Sequence, residues 1–203
     1  RNSQSRRVTR EDLLAHVYMM PSRFGRVYRA GIRSNPNNPL STQLFIVSRY
    51  ASGLLSISPD ALKQNLRLFL NESRLISDAI DILDSPVVNL GVKYSIVVDT
   101  TSNRSSAIQM VNSRIMAYFR NINFQIDQPV IVSEIQAIVL NAPGVISVPE
   151  FEIINRAGVI SGMFYSTFYL DIDGATHRGI ISPPAGGIFE MRYPTHDIIG
   201  TAE

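Results

Sequence analysis

The sequence predicts an α+β protein: an antiparallel sheet of about four strands with helices packed mainly on one face, plus a C-terminal β-rich appendage. The first observation behind this prediction is the clean alternation of apolar and polar residues from Val88 to Val98, typical of a strand with one covered face. The second is that four segments carry apolar residues at helical spacing. The third is a change after Asn155 to glycine, aromatics and short β-prone runs.

The first elements are a helix and a hairpin. Thr9 followed by Asp12 is typical of an N-cap and predicts a helix over about residues 10–20. The segment RVYRAGIRS, residues 26–34, precedes the turn-forming cluster NPNNP, and β-prone sequence resumes over 44–50. We therefore predict a hairpin with a long polar tip.

A second helix is predicted to begin at Ser58, because Pro59 is well tolerated in the first helical turn. Its apolar stripe is Leu62, Leu66, Phe69 and Leu70. The residues from Ile76 to Leu83 fit no single pattern, and no element is predicted there.

After the long alternating strand, the polar turn 100–106 precedes a third predicted helix. Its apolar face is Ile108, Val111, Ile115, Tyr118 and Phe119. Ser133 and Gln136 have capping-box spacing and predict the start of a fourth helix, which Pro143 and Gly144 end. The apolar face of this helix is Ile131, Ile135, Ile138 and Val139.

The next predicted strand runs from Val145 to about Ile154. Pro149 cannot donate to a sheet ladder, so this strand is expected at an edge or with a bulge. Beyond it, Asp173 and Gly174 predict a hairpin turn. The predicted organisation is a basic lead-in over 1–8 that follows a missing N-terminal region, an α+β module over 9–154, and the β-hairpin-rich appendage over 155–203.

Residues that often carry chemistry are scattered along this chain. There is no cysteine, which removes disulfides and thiolate nucleophiles. His16, His177 and His196 are far apart and are interpreted as surface or packing residues. The segment DIDGATH, residues 171–177, has acidic residues and a histidine, but it lacks the further oxygen ligands that a calcium loop needs, so a turn is preferred.

Other catalytic patterns are equally weak. Glu150 and Glu152 share one face of a predicted strand and are interpreted as charges that discourage edge aggregation. The sequence has no glycine-rich phosphate loop between a strand and a helix, and no serine nucleophile elbow. No apolar run approaches the roughly 18 residues that cross a bilayer. We predict no enzyme activity, no cofactor, no metal and no membrane contact.

Charge is the strongest functional signal. The net charge is only +2, but 17 of the 19 cationic residues are arginines, and they are concentrated in residues 1–33. Arginine suits forked contacts with carboxylates, which favours docking onto an acidic protein neighbour. A merely solvated basic arm and nucleic-acid binding are the alternatives. The predicted interface residues are Arg6, Arg7, Arg10, Arg26, Arg29 and Arg33.

The order of these segments resembles a known family. QSRRVTREDLLAHV, FGRVYRAGI, the helix Ser58–Leu70, SPVVNLGVKYSIVV and IDQPVIVSEIQAIVLNAPGVISV follow one another as in the C-terminal module of the J-like baseplate wedge proteins of contractile-tailed bacteriophages. The resemblance covers residues 5–154. The segment after Asn155 is most similar to the larger wedge proteins of long contractile tails.

The resemblance implies a structural part of the virion, in the tail baseplate, assembled in the host cytoplasm. Its partners would be other copies of itself and other wedge and hub subunits, with no small-molecule substrate and no nucleic acid. Family members carry a large N-terminal region before this module, so we expect this chain to be the end portion of a longer polypeptide. The alternative is a soluble α+β enzyme or nucleotide-binding domain with a site that the sequence does not reveal.

Overall fold

The computed structural model describes residues 9–72 and 79–203. The chain folds as two compact units, Arg1–Ser85 and Pro86–Glu203. The predicted α+β class, with antiparallel strand pairs and a C-terminal strand region, is confirmed. Among the described residues, no helix is both long enough and apolar enough to cross a lipid bilayer.

The first unit is a small sheet with two helices. Its elements are α1 (Arg10–Tyr18), a 3₁₀ turn (Ser22–Phe24), β1 (Arg29–Ser34), β2 (Ser41–Arg49), β3 (Leu55–Ser56), α2 (Asp60–Glu72) and β4 (Ala79–Asp84). Strand β2 is central: it pairs antiparallel with β1 and β3 and parallel with β4. The predicted helix and hairpin are therefore present, and β4 occupies most of the segment left unassigned.

Both helices of the first unit cover one face of its sheet. Thr9 caps α1 as predicted, since its hydroxyl accepts from the Asp12 amide at 3.1 Å and the Asp12 carboxylate accepts from the Thr9 amide at 3.1 Å. The core between helices and sheet includes Leu13, Val17, Met20, Ala30, Leu44, Ile46, Leu62, Leu66 and Leu70. The predicted apolar stripe of α2 thus faces the sheet.

The second unit is organised around one long strand. Its helices are α3 (Arg104–Tyr118), α4 (Val132–Leu140), α5 (Ile172–Ala175) and α6 (Pro194–Asp197), with a 3₁₀ turn at Asn121–Asn123. Its strands are β5 (Val87–Val98), β6 (Val130–Ile131), β7 (Val145–Arg156), β8 (Val159–Ile160), β9 (Met163–Phe164), β10 (Thr176–His177), β11 (Ile180–Ile181), β12 (Ile188–Glu190) and β13 (Ile198–Ala202).

Strand β5 is paired along both edges. Antiparallel β7 occupies one edge, while β12 and β13 follow each other, both parallel to β5, along the other. The last strands of the chain thus complete the sheet of β5. The boundaries 9–154 and 155–203 stay a prediction. The lead-in 1–8 lies outside the described residues.

Pairing on both edges also changes the faces of β5. The alternation predicts one covered face and one face that is wet or used by a partner, yet every residue from Val87 to Val92 is buried, including Asn89. Only farther along does the second face open, at Lys93. The prediction of a wet face is therefore wrong for the first half of the strand.

Helices α3 and α4 pack together, with α3 against β13 and α4 against β7. Their buried residues are Ala107, Val111, Ile115, Ile135 and Val139. The predicted bulge is present in β7, where Val148 and Pro149 together oppose Ile96. Because β7 pairs with β5 alone, it is an edge strand. Pro149, which has no amide hydrogen to donate, is therefore tolerated there.

Two local predictions are wrong. The helix α4 begins at Val132 with Ile131 at its N-cap, so Ser133 lies inside the first turn and forms no capping box. The reason is that Val130–Ile131 pair with β11, and the helix starts directly from that strand. Asp173 and Gly174 lie in helix α5; the hairpin turn between β10 and β11 is instead Arg178–Gly179, with positive φ at both residues.

Candidate protein interface

The basic character of the first unit comes from a segment without acidic residues. Between Asp12 and Asp60 the sequence contains no aspartate or glutamate. The same segment holds five arginines and no lysine: Arg23, Arg26, Arg29, Arg33 and Arg49. Because this segment forms β1, β2 and β3, these three strands carry positive charge and contain no carboxylate.

The register of β1 sorts these arginines by face. Ala30 and Ile32 pack with the core under the helices, so Arg29 and Arg33 belong to the opposite face. Arg29 lies opposite Val47, and Arg33 lies opposite Gln43. Arg49 follows Val47 by two residues and therefore shares this face. We call the face of Arg29, Arg33 and Arg49 the arginine face.

Tyr28 organises one end of the arginine face. The guanidinium carbon of Arg29 lies 4.4 Å from the centroid of its ring, and that of Arg49 lies 4.5 Å from the same centroid. Arg29 also donates from Nη1 to the Tyr28 carbonyl at 3.3 Å. The backbone amide of Tyr28 donates to the Val47 carbonyl at 2.9 Å. This hydrogen bond joins the backbone of Tyr28 to β2. Two cations are thus held against one aromatic ring by cation–π attraction.

The predicted interface arginines divide into separate groups. Arg6 and Arg7 lie outside the described residues. Arg10 donates from Nη2 to the Ser34 hydroxyl at 2.9 Å, so it joins α1 to the far end of β1. Arg26 is exposed in the loop before β1, close in sequence to Arg29. Their role as interface residues stays a prediction.

Sequence reasoning missed Arg49 and Tyr28 as members of this surface. Arg49 is the last residue of β2, and only the pairing register brings it beside the start of β1. The predicted hairpin could have indicated their proximity, because the first residues of one strand and the last residues of the other lie side by side in a hairpin. An exact register was needed to use that signal.

A second polar cluster lies buried in the second unit. Asn89 and Glu190 are opposite each other on β5 and β12, and the Asn89 amide donates to Glu190 Oε1 at 2.8 Å. Arg192 Nε donates to the same oxygen at 3.0 Å. The side-chain oxygen of Asn89 accepts from the Ser166 amide at 2.7 Å. This cluster joins the central strand to two later segments of the chain.

Asp197 forms the other half of the buried polar cluster. Its carboxylate accepts from Arg156 Nε at 3.3 Å, from the Tyr165 hydroxyl and from the Tyr193 amide at 2.8 Å. Burial, followed by the hydrogen bond to Asp197, raises the pKa of Tyr165. The carboxylate is fully buried and engaged by β7, the β9 region and α6 together. We interpret this arrangement as an anchor for the C-terminal segment, since buried charges with satisfied partners favour a single conformation.

The remaining sequence candidates stay apart. Within residues 9–72 and 79–203 no three histidine or acidic side chains lie close enough together to hold a metal ion. The ring of His16 stacks on Phe69 with centroids 4.7 Å apart, which fits the interpretation as a packing residue. Glu150 and Glu152 are exposed on the edge strand β7, where Glu152 lies opposite Lys93.

Comparison with protein-family models finds no match, and no curated protein matches the chain. The arginine face and the buried anchor are therefore interpreted from their own chemistry.

Proposed function

We propose that this chain is a structural component of a contractile phage tail baseplate, which forms the wedge or ring around the hub through contacts with neighbouring subunits. The order of elements supports this proposal. The resemblance implies a helix, a hairpin, a helix, a long strand, a helix, and then a helix, breaker and strand. The chain has α1, β1 and β2, α2, β5, α3, and α4 followed by β7.

The observation that carries the proposal is the arginine face. Arg33 and Arg49 are exposed near the two ends of this face, and Phe45 and Val47 between them are buried. Asp81 of β4 lies opposite Gln43 on the same face. The two exposed arginines are suited to a protein neighbour of opposite charge. Arginine is also among the residues enriched at protein interfaces, where its flat guanidinium forms several directed hydrogen bonds.

Exposed apolar side chains provide a second kind of contact surface. In the β8–β9 hairpin, Val159 and Phe164 are cross-strand neighbours that are 64% and 68% exposed. The Tyr193 hydroxyl holds this hairpin by donating to the Phe164 carbonyl at 3.0 Å. A hairpin with two exposed apolar side chains is a suitable contact for a neighbouring subunit.

Electron microscopy of purified particles tests the proposal directly. We expect the chain in multiple copies at the tail baseplate, with at least one neighbour on the arginine face. A companion experiment produces particles with Arg29→Glu and Arg33→Glu together and measures incorporation of the chain by quantitative mass spectrometry. Incorporation is expected to fall at least tenfold, because two attractive contacts become repulsive.

The matched control is Arg67→Glu, an exposed arginine on α2 of the same unit. It reverses one charge away from the arginine face, is compared with Arg33→Glu alone as well as with the double variant, and is expected to leave incorporation within twofold of the original. Particles that contain no copy of this chain would overturn the proposed function. Equal losses of incorporation for the control and the arginine-face variant would show that the arginine face has no specific role in assembly.

A further inference from the structure

We infer that Tyr28, Arg29 and Arg49 form a clamp that binds a glutamate- or aspartate-rich segment of a partner protein. We call these three residues the Tyr28 clamp. The inference takes its biological setting from the proposed function, in which the acidic segment belongs to a neighbouring subunit. The chemistry of the clamp can be tested separately with an isolated peptide.

Both guanidinium groups of the Tyr28 clamp are held against the same ring. Each lies within 4.5 Å of the same ring centroid, so they cannot be farther apart than those two distances together. Positive charges this close repel each other, and an anion between or beside them lowers that repulsion. Holding both groups on one ring also reduces the rotamer entropy that arginine loses when it binds a ligand.

The kind of anion follows from the geometry of the guanidinium group. A guanidinium donates two parallel N–H bonds to a carboxylate, and such bidentate pairs are stronger and more directional than single contacts. Two guanidinium groups held on one ring therefore provide binding positions for two carboxylates of one acidic segment. Arg29 begins β1 and Arg49 ends β2, so the two arginines come from neighbouring strand ends.

The surface beside the clamp carries an exposed tyrosine. Tyr50 is 60% exposed and follows Arg49 directly, and its amide donates to the Leu54 carbonyl at 2.8 Å. Aromatic side chains next to cations give an acidic peptide apolar contacts for its methylene groups and its neighbouring residues.

A protein segment fits these observations better than a nucleic acid does. Surfaces that follow a phosphate backbone spread their cations along a stripe and commonly combine lysine with arginine. Residues 13–59 contain five arginines and no lysine, and two of these arginines contact a single tyrosine ring. Nucleic-acid binding is accordingly the competing outcome of the test.

Fluorescence anisotropy of the full chain provides that test. The probes are a labelled hexaglutamate peptide and a labelled single-stranded dodecamer DNA, both measured at about 150 mM salt, where exposed long-range attraction is largely screened. We expect the peptide to bind more tightly than the DNA. Arg49→Gln is expected to weaken peptide binding about tenfold, which corresponds to about 1.4 kcal/mol.

Three variants separate the clamp from general basic charge and from misfolding. Arg67→Gln removes an exposed arginine on α2 and is expected to change peptide affinity less than twofold. Tyr28→Leu keeps both guanidinium groups but removes the ring, and should weaken binding severalfold. Tyr28→Phe restores the ring and should restore the affinity, while circular dichroism confirms that each variant is folded.

The inference is overturned by any of three results: no peptide binding, tighter binding of the DNA, or equal losses for Arg49→Gln and Arg67→Gln. A failed clamp leaves the baseplate proposal to be decided by microscopy, since other surfaces of the chain remain available for assembly. Conversely, a chain absent from particles that still binds hexaglutamate through Arg49 would keep the clamp and remove the baseplate role.

Discussion

Gly200 lies directly opposite Tyr94 in the parallel pair of β13 and β5, and the tyrosine ring occupies the space that a side chain at position 200 would need. The ring is itself fixed, since Tyr94 is almost fully buried and its hydroxyl donates to Asn112 Oδ1 at 2.6 Å. Glycine is therefore required at position 200 by close packing. The last strand of the chain can approach β5 only because one of its residues has no side chain.

Replacing Gly200 with alanine is expected to destabilise the second unit by at least about 1–3 kcal/mol, the usual cost of overpacking a filled core. The added methyl group has to displace the Tyr94 ring or move β13 away from β5. Urea unfolding measures the change as a lower midpoint. Thr201→Ala, at the exposed neighbouring position, is the control and should shift the midpoint much less. Equal midpoints for Gly200→Ala and the original chain would contradict this packing.

The buried anchor predicts a large effect of Asp197→Asn. The substitution leaves Arg156 half-buried without its carboxylate partner, and breaking a buried ion pair costs about 3–5 kcal/mol. Hydrogen exchange should show faster exchange of the β13 amides and of the hairpin that contains β8 and β9. Asp173→Asn, at an exposed position in α5, should leave both unchanged. Unchanged exchange in Asp197→Asn would mean that Asp197 does not hold the C-terminal segment.

A buried hydroxyl pair in the first unit predicts non-additive substitutions. The hydroxyls of Ser48 and Ser58 lie 2.7 Å apart, and both residues are buried. Ser48→Ala leaves the Ser58 hydroxyl with one partner fewer and should cost about 1–3 kcal/mol, whereas the double alanine variant should cost less than the two single changes together. Thermal unfolding of the three variants measures the coupling. Additive changes would show that the two hydroxyls do not depend on each other, and Ser52→Ala serves as the exposed control.

Tyrosine ionisation predicts a loss of stability at high pH. Burial raises the pKa of Tyr94 from its ordinary 10 to about 12, and burial together with Glu134 raises the pKa of Tyr118 to about 12. Because the folded chain holds these protons more tightly than the unfolded chain, their stabilising contribution is complete below pH 10 and is lost as the pH rises through about 12. The free energy of unfolding should therefore fall across this window.

Tyr94→Phe removes one of the ionising groups, so the fall between pH 10 and pH 12 should become shallower. Chemical denaturation at a series of pH values measures the slope, and absorbance of the tyrosinate form reports the ionisation itself. A variant with the slope of the original chain would show that Tyr94 ionises as readily folded as unfolded.

Local patterns predicted most of the longer elements of this protein but few of their partners. The capping box of Thr9, the stripe of α2, the alternation in β5 and the proline bulge of β7 each depend on residues near one another in the chain. Such signals survive folding because they describe the conformation of a short segment. The prediction at Ser133 was wrong because pairing with the distant strand β11 fixed the residues before the helix. The hairpin turn predicted at Asp173 is instead at Arg178–Gly179, and the wet face predicted for β5 is buried over residues 87–92.

The sequence predicted the chemical character of the candidate interface but not which residues form it. The excess of arginine is visible in the sequence, and it already indicates an acidic protein partner. Which arginines act together is a matter of register, because Arg29 and Arg49 are far apart in the chain and share one tyrosine ring only when β1 pairs with β2.

The sequence by itself determined the α+β class, the approximate positions of the four longer helices and of β1, β2, β5 and β7, and the basic character of the first unit. Only the tertiary structure decided that β12 and β13 complete the sheet of β5, that Asn89 and Asp197 are buried, and that Gly200 has to be glycine. The physical reason is distance along the chain. Periodicity and capping act over a few residues, whereas parallel pairing and buried polar contacts join segments about one hundred residues apart, such as Asn89 and Glu190.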